Sequence, residues 1–202
     1  RNDKEDLTFL TLQNDYQDTL VDLDIVVCNL YPFEECLKKD LLHGDMLENI
    51  DIGGITLLRA AAKNYKRVVI LTHPSQYEEF ITRYDENIIT EEYRRELATK
   101  AFLHTSIYDS AITQYMSQDI YKINHYVKHN RLKYGANPHQ RDACYLQKIK
   151  STDDIYNYVN SHFTVLNGNP GYINYLDAYG CWNLVYDLGI SLKRVVATSF
   201  KH

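Results

Sequence analysis

Short apolar runs alternate with helical patterns along the first half of the chain. The stretch Asp22–Phe33, DLDIVVCNLYPF, predicts a buried strand that ends in a proline-containing loop. A second apolar run, Arg67–His73, predicts another strand, and Pro74 after it favours the start of a short helix. Residues of about 34–49 form a polar helical pattern that we expect to break near His43–Asp45.

Two further helices follow from the spacing of apolar positions. One begins at the sequence Asp51-Ile-Gly-Gly and runs to about Lys63, and the clearest one covers Thr90–Met116. Its apolar positions lie three, four or seven residues apart and share one face: Tyr93, Leu97, Ala101, Tyr108, Ile112 and Tyr115. Glu91 and Glu92 occupy its first turn, where the helix dipole favours acidic residues. Strands that alternate with helices predict an α/β unit with a parallel sheet.

The second half of the chain has a different organisation. From Ser117 to about Arg131 the sequence is polar and irregular, which predicts a linker. Strands are then expected around Ala143–Leu146 and over Arg194–Ser199, with a helix between them over about Tyr172–Leu188. The chain therefore divides into two blocks, and we expect the second block to be a truncated domain.

Composition excludes several classes of function. The 202 residues carry a formal net charge of −5, which argues against nucleic acid as a partner because phosphate neutralisation needs a basic face. A small phosphorylated molecule remains compatible, since a helix N-terminus and a few local cations suffice to bind it. The four cysteines form no C-x-x-C pair, and the N-terminus shows no signal-peptide pattern. Free thiols in a reducing compartment and the lack of zinc-like spacing predict a cytoplasmic protein without a metal, and the strand-sized apolar runs predict no membrane span.

The stretch Asn49–Asn64, NIDIGGITLLRAAAKN, carries the strongest candidate chemistry. Gly53 and Gly54 let the backbone approach a ligand, and the helix that they begin presents unpaired N–H groups. Asp51 is either a ligand contact or only a helix cap, and Lys63 is either a functional cation or an exposed lysine at the helix end. Twelve helical residues would separate Asp51 and Lys63 by about 18 Å. Both reach one small reacting atom only if the helix starts late or Lys63 comes from another subunit.

Three other parts of the sequence contain candidate catalytic residues, judged from the residues alone. Tyr31 follows a predicted strand end, where its hydroxyl could face a developing oxyanion or simply pack beside Pro32. His139 lies in a turn-rich loop, which favours chemistry over core packing. Lys201 and His202 follow an apolar run. Either the Lys201 cation keeps the His202 imidazole neutral, so that it can act as a base, or the pair is only an exposed end.

Five blocks together resemble the bifunctional purine-biosynthesis enzymes that join AICAR transformylase to IMP cyclohydrolase. They occur in the order and approximate spacing of that family: VVCNLYPF, IDIGGITLLRAAAKN, KYGANPHQ, VLNGNPGYINYLDA and ATSFKH. The resemblance implies an incomplete, methylglyoxal-synthase-like parallel-sheet cyclohydrolase domain over residues 1–120 and a linker over 121–130. Residues 131–202 would be the opening of an α/β transformylase domain, so we expect an internal fragment that is inactive alone.

The resemblance also implies roles for residues of the first block. Lys63 resembles the proton donor or acceptor of ring closure, in which FAICAR loses water to give IMP, with Tyr31 and Asp51 lining the same site. Further positions match nucleotide contacts or the close backbone beside them: Cys28, Asn29, Ile52, Gly53 and Gly54.

In the second block the resemblance implies a transformylase site. His202 matches the base that deprotonates the amino group of AICAR as it attacks 10-formyltetrahydrofolate, and Lys201 matches its electrostatic helper. Other positions match active-site or AICAR-contacting residues: His139, Asn174, Lys133 and Tyr134. Lys133 stands where the family usually has arginine, which keeps the charge but loses bidentate geometry. The family site forms between two subunits, so a homodimer is implied.

Two alternatives remain at this point. The same fold serves elsewhere as a non-catalytic nucleotide-sensing module, and a methylglyoxal-synthase-like lyase would rest on the fold alone. Two sets of proton-transfer residues are present, and this favours the enzyme. The first set is Tyr31, Asp51 and Lys63, and the second is Lys201 and His202.

Overall fold

The computed structural model describes residues 22–39, 41–137, 139, 142–156 and 163–200, without the side chains of residues 129 and 130. They form two compact units, one of residues 22–123 with 150–156 and the other of residues 124–149 with 163–200. In chain order the elements are β1 Ile25–Val27, α1 Phe33–Cys36, α2 His43–Glu48, α3 Gly53–Lys63, β2 Val69–Leu71, a 3₁₀ turn Pro74–Gln76, α4 Tyr77–Asp85, α5 Glu91–Met116, β3 His125–Arg131, β4 Cys144–Ile149, α6 Asp153–Tyr156 and α7 Tyr172–Leu192.

A parallel strand pair lies at the centre of the first unit. Strands β1 and β2 align so that Val26 faces Ile70, and the backbone of Cys28 continues the ladder with a bond to the Leu71 carbonyl at 3.0 Å. All three residues of β2 are buried. The first unit is therefore a mixed α/β structure with a small parallel sheet, as the alternating pattern predicted.

Helices α3 and α5 cover the sheet, and small residues lie where they pack. The inward positions of α3 are Leu58, Ala61 and Ala62, spaced three and four residues apart, and they share one core cluster with Leu97 and Ala98 of α5. Alanine at the contact lets two helices approach closely without leaving a void. The alanine-rich stretch of the sequence is thus explained by packing.

The long helix α5 was predicted correctly. Thr90 caps it by accepting the N–H of Tyr93 at 3.2 Å, and Glu91 and Glu92 lie in its first turn. On the predicted apolar face, Tyr93, Leu97, Ala101 and Tyr108 are buried, while Ile112 and Tyr115 pack partly buried against a second cluster.

That second cluster is centred on Tyr108, which lies against Phe33, Cys36 and Met46. The Tyr108 hydroxyl accepts the backbone N–H of Asp51 at 2.9 Å and donates to the carbonyl of Asn49 at 3.0 Å. A side chain of α5 thereby fixes the segment that leads into α3.

Two predictions for the first unit were wrong in detail. The helical stretch does not break near His43–Asp45, because α2 begins at His43; the chain leaves helical structure earlier, after Cys36. The strand over Asp22–Phe33 is short, and in β1 only Val26 is buried, with Ile25 39% exposed. The second strand and the short helix after Pro74 were predicted correctly.

The second unit contains an antiparallel strand pair, β3 with β4, in which Val127 faces Gln147. The irregular structure expected for the linker over 121–130 is not observed from His125 onward, because residues there pair with β4 despite their polarity. The predicted strand over Arg194–Ser199 is also not observed: among the described residues it pairs with no strand, and Val195 is fully exposed. Helix α7 runs one turn past the predicted end and stops where Lys193 adopts a left-handed conformation.

Within the described part of the chain, none of the helices combines the length and apolar character that crossing a bilayer requires.

Replacing Tyr108 with phenylalanine should lower the free energy of unfolding by about 1–3 kcal/mol, because it leaves the Asp51 N–H and the Asn49 carbonyl without their buried partner. Denaturant unfolding would measure the change. The control is Tyr84→Phe, at a position 59% exposed, for which we expect a change within about 0.5 kcal/mol. Equal midpoints for the two variants would show that the Tyr108 hydroxyl does not hold this segment.

Candidate functional site

The carboxyl end of β1 brings several predicted residues together. Cys28 follows β1 directly, Asn29 and Tyr31 continue the loop, and the carboxylate of Asp51 lies against this loop from the other side. In open α/β sheets this end of the strands is where ligands bind. The structure therefore groups residues 28–31 with residues 51–54, the two segments that the family resemblance places in one site.

Both oxygens of the Asp51 carboxylate face backbone N–H groups. Oδ1 accepts from Gly54 at 2.6 Å, and Oδ2 lies 3.4 Å from the Tyr31 nitrogen. The first contact is a helix cap and the second ties the cap to the loop after β1. Of the two interpretations of Asp51, the cap is thus present, and it also places a negative charge at the candidate site.

The paired glycines differ in their surroundings. A Cβ at Gly54 would lie 2.5 Å from Oδ2 of Asp51, whereas a Cβ at Gly53 would meet no atom within 4 Å. Neither has a positive φ. Gly54 is therefore required by the close approach of Asp51, and Gly53 leaves its backbone open to a ligand.

The remaining residues of this group line the same surface. The amide oxygen of Asn29 accepts the hydroxyl of Tyr77 at 2.9 Å, which orients it from α4. Burial, and then the charge of Asp51, raises the pKa of the Cys28 thiol, so this cysteine stays protonated at neutral pH. Tyr31 is 56% exposed and Ile52 is 74% exposed, which leaves both side chains accessible.

Lys63 does not join this group within one chain. It is the last residue of α3, an exposed position, while Gly53 is the first. Ten helical steps separate these two residues by about 15 Å. Lys63 therefore lies at the opposite end of α3 from Asp51 and Gly54, and the separation expected from the sequence remains.

A cavity of about 430 Å³ adjoins the loop after β1. Its walls include Asn29 and Tyr31 on one side and Thr72, His73 and His104 on the other. The candidate site therefore extends from the Asp51 cap towards the end of β2.

His104 was not recognised in the sequence. It lies on the buried face of α5, and its Nδ1 is 2.8 Å from the hydroxyl of Tyr156. Burial, and then the nearby His73, lowers its pKa to about 4. The sequence did contain a signal for His104. It lies three residues beyond Ala101, as a histidine on the otherwise apolar face predicted for this helix.

In the second unit, three predicted residues meet at the start of α7. The Lys133 N–H donates to the Pro170 carbonyl at 3.2 Å, and the Tyr134 carbonyl accepts from Tyr172 at 3.1 Å. The ring of Tyr134 lies so close to Gly171 that a Cβ there would approach it to 2.8 Å. Asn174 accepts the Gly171 N–H at 2.9 Å and lines a cavity of about 420 Å³.

The other predicted residues are placed differently. His139 is exposed in the loop between β3 and β4, whose base carries the ion pair of Arg131 with Asp142. Lys201 and His202 lie outside the described residues, so the predicted base and its helper have no described position. Among the residues that the structure describes, no group of three or more His, Cys, Asp or Glu side chains forms a metal-binding cluster.

Replacing Gly54 with alanine should lower the free energy of unfolding by about 1–3 kcal/mol, because the new methyl group displaces the Asp51 carboxylate from its backbone partners. The matched control is Gly53→Ala, where space is open and alanine should leave stability unchanged or raise it by up to about 1 kcal/mol. Thermal or denaturant unfolding would measure both. If Gly54→Ala proved as stable as Gly53→Ala, the cap would not constrain the loop.

Stability should fall as the pH is lowered from about 6.5 towards 4, in part because of His104. Its pKa is lowered to about 4 in the folded protein from an ordinary value of 6.5, so over this window the unfolded chain binds a proton that the folded chain does not. The full loss from this group would be about 3 kcal/mol, complete below pH 4. Unfolding of His104→Asn across pH 4–8 would test this, since asparagine keeps a polar partner for Tyr156 but does not titrate.

His43→Asn is the control for the pH experiment. His43 bonds to the Tyr115 hydroxyl over the same 2.8 Å but is exposed. We expect the pH dependence of unfolding to flatten in His104→Asn and to persist in His43→Asn. The reverse result would contradict the role given to burial.

Comparison with known proteins identifies the family of this chain. A family model described as AICARFT/IMPCHase bienzyme matches residues 61–202. The bifunctional purine biosynthesis protein PurH of Aquifex aeolicus (strain VF5) is 41% identical over 189 residues, which cover 89% of this chain and 35% of that protein. PurH of Staphylococcus haemolyticus (strain JCSC1435) is 38% identical over 181 residues, 89% of this chain and 33% of that protein.

The chain thus spans about a third of the length of these curated relatives. A solved structure titled crystal structure of ForH aligns at a TM-score of 0.45 and 24% identity, over 57% of this chain and 60% of that one. The family match covers most of the chain and the relatives exceed 35% identity, so the chain belongs to the AICARFT/IMPCHase bienzyme family.

Proposed function

We propose that this chain is part of an enzyme for the last two steps of IMP synthesis. The first step transfers a formyl group from 10-formyltetrahydrofolate to AICAR, and the second closes the ring of FAICAR to IMP with loss of water. Residues 1–120, as a methylglyoxal-synthase-like domain, would close the ring. Residues 131–202 would begin the transformylase domain, and the enzyme would work as a cytoplasmic homodimer.

The observation that carries the proposal is the grouping of residues 28–31 with residues 51–54 at the carboxyl end of β1. Ring closure forms a tetrahedral oxyanion when the carboxamide nitrogen of FAICAR attacks the formyl carbon. The start of α3 presents N–H groups without intrahelical partners, and the accessible Tyr31 hydroxyl is a further donor. Each such donor contributes about 3 kcal/mol of transition-state stabilisation when it faces the developing charge.

Asp51 is better suited to orientation than to proton transfer. Both of its oxygens are engaged by backbone N–H groups, so it holds the loop after β1 against the start of α3. With Gly53 free of neighbours, the nucleotide can approach the backbone beside this cap. Cys28, Asn29 and Ile52 are then the side chains left to contact the base and sugar.

Proton transfer is assigned to Lys63, and the fold restricts how this is achieved. Lys63 ends the helix whose start forms the site, so within one chain about 15 Å of helix separates it from Gly53. A homodimer removes the difficulty if Lys63 of one copy serves the site of the other. The proposed homodimer and the proposed role of Lys63 therefore depend on each other.

For formyl transfer, the proposed site uses the start of α7. Lys133, Tyr134 and Asn174 meet there beside a cavity, which fits contact with AICAR. His202 would remove the proton of the weakly nucleophilic amino group, with Lys201 keeping the imidazole neutral. His139 would complete the site from the loop between β3 and β4.

The direct test uses the intact source protein with AICAR and 10-formyltetrahydrofolate. Formation of tetrahydrofolate reports formyl transfer, and formation of IMP reports ring closure; added FAICAR isolates the second step. We expect both activities. Nucleotide binding without either product would instead support the non-catalytic sensing module.

Replacing Lys63 with alanine in the intact protein should reduce ring closure by about 100-fold or more while formyl transfer is unchanged, because only the first reaction loses its proton donor. Steady-state rates with FAICAR and with AICAR would measure the two steps separately. Lys66→Ala is the matched control, an exposed lysine three residues further on, and should leave both rates unchanged. Ring closure at the normal rate in Lys63→Ala would remove this residue from the mechanism.

Mixing two inactive variants would then locate Lys63. If it acts across the dimer, Lys63→Ala combined with Tyr31→Phe gives mixed dimers with one intact site, and random mixing restores about a quarter of the activity. If it acts within its own chain, mixing restores no activity. Phenylalanine is the suitable change at Tyr31 because it removes the proposed hydroxyl donor and keeps the accessible ring.

A further inference from the structure

Residues Lys150–Tyr156, here called the strap, follow β4 in sequence but belong to the first unit by their contacts. At one end of the strap, Thr152 binds Glu34. Oε2 of Glu34 accepts both the backbone N–H of Thr152 at 3.0 Å and its hydroxyl at 2.6 Å. Two bonds from one residue to one carboxylate oxygen form a charge-assisted clasp.

At the other end, Tyr156 is held between β2 and α5. Its hydroxyl lies 2.5 Å from Oγ1 of Thr72 and 2.8 Å from Nδ1 of His104, and its ring stacks on His73 at 4.5 Å between centroids, tilted by 5°. Burial raises the pKa of Tyr156 to about 12, so the hydroxyl keeps its proton at neutral pH. Bonds made by a buried, protonated hydroxyl are costly to break.

Hydrogen bonds between residues of the strap also fix its own conformation. Oδ2 of Asp154 accepts the N–H groups of Lys150 and Ser151 at 2.7 and 3.2 Å, which ties the start of the strap to the short helix α6. Asp153 reaches Nε2 of His73 at 3.3 Å, so His73 is held through both its ring face and its ring nitrogen. The strap therefore presents Thr152 and Tyr156 in a fixed arrangement.

Both anchors lie beside the candidate site. Glu34 is three residues past Tyr31 in the loop and helix after β1, and Thr72 directly follows β2. Thr152 and Asp153 line the same cavity as Asn29 and Tyr31. The strap thus spans the two loops that leave the carboxyl ends of the parallel strands.

We propose that the strap is a positioning element for the candidate site: Thr152 and Tyr156 hold the loop after β1 and the loop after β2 in a fixed relation. They touch no predicted catalytic residue directly and act through Glu34, Thr72 and His104. The structural part of this inference stands on these contacts alone. Its effect on ring closure rests on the proposed function.

Backbone hydrogen exchange in the intact protein tests the structural part. In Thr152→Val and in Tyr156→Phe, the amides of Glu35, Cys36 and Leu37 should exchange about tenfold faster, because the first variant loses the hydroxyl bond of the clasp and the second loses the hydroxyl bonds that seat the strap. Tyr145→Phe is the matched control, since it removes a hydroxyl–hydroxyl bond of 2.8 Å in the second unit. Unchanged exchange in both strap variants, or equal acceleration in the control, would overturn the proposal.

Kinetics with FAICAR test the positioning role. Thr152→Val should raise KM several-fold or lower kcat, with formyl transfer unaffected, and Thr152→Ser should restore the normal values because serine keeps the hydroxyl. Faster exchange combined with normal ring-closure kinetics would show a merely structural strap and overturn the positioning role. If the wild-type protein closes no ring, the proposed function fails, while the exchange result still decides whether the strap holds the loops.

Discussion

The first unit depends on a single hydroxyl group, that of Tyr108. It joins the segment before α3 to the long helix α5 by bonding the backbone of both Asn49 and Asp51 from a buried ring. With this segment fixed, the Asp51 carboxylate can cap α3 and bind the loop after β1. The candidate site is therefore an extension of the core and not a separate surface feature.

Much of the first unit could be predicted because its pattern is governed by burial. The stripe from Tyr93 to Tyr108 has helical spacing, Thr90 is a good cap, and Val69–Leu71 is apolar throughout. The grouping of the loop after β1 with the start of α3 was implied by the family resemblance, and strand-end rules alone placed only the loop after β1. These features are local, so a single sequence contains them.

The features that were missed are long-range and polar. His125–Arg131 has an irregular pattern because charged residues interrupt it, yet pairing with a distant strand supplies the backbone bonds that make it extended. Arg194–Ser199 is apolar enough for a strand, but β structure requires a paired neighbour, which composition cannot specify. His104 and Tyr156 lie 52 residues apart, and neither has a local partner that would reveal their contact. Sequence motifs indicated a role for Lys63. The position of Lys63 relative to Asp51, however, depends on where α3 begins.

The strap has a consequence for the order in which the protein is assembled during synthesis. Its bonds join Thr152 to Glu34 across 118 positions and Tyr156 to Thr72 across 84, whereas the core of the first unit is complete once α5 ends at Met116. Domains generally fold as their residues emerge from the ribosome, N-terminal parts first. The parallel strands and their covering helices can thus pack before the strap exists, and the loops after β1 and β2 receive their last restraint only when the following domain has begun to emerge.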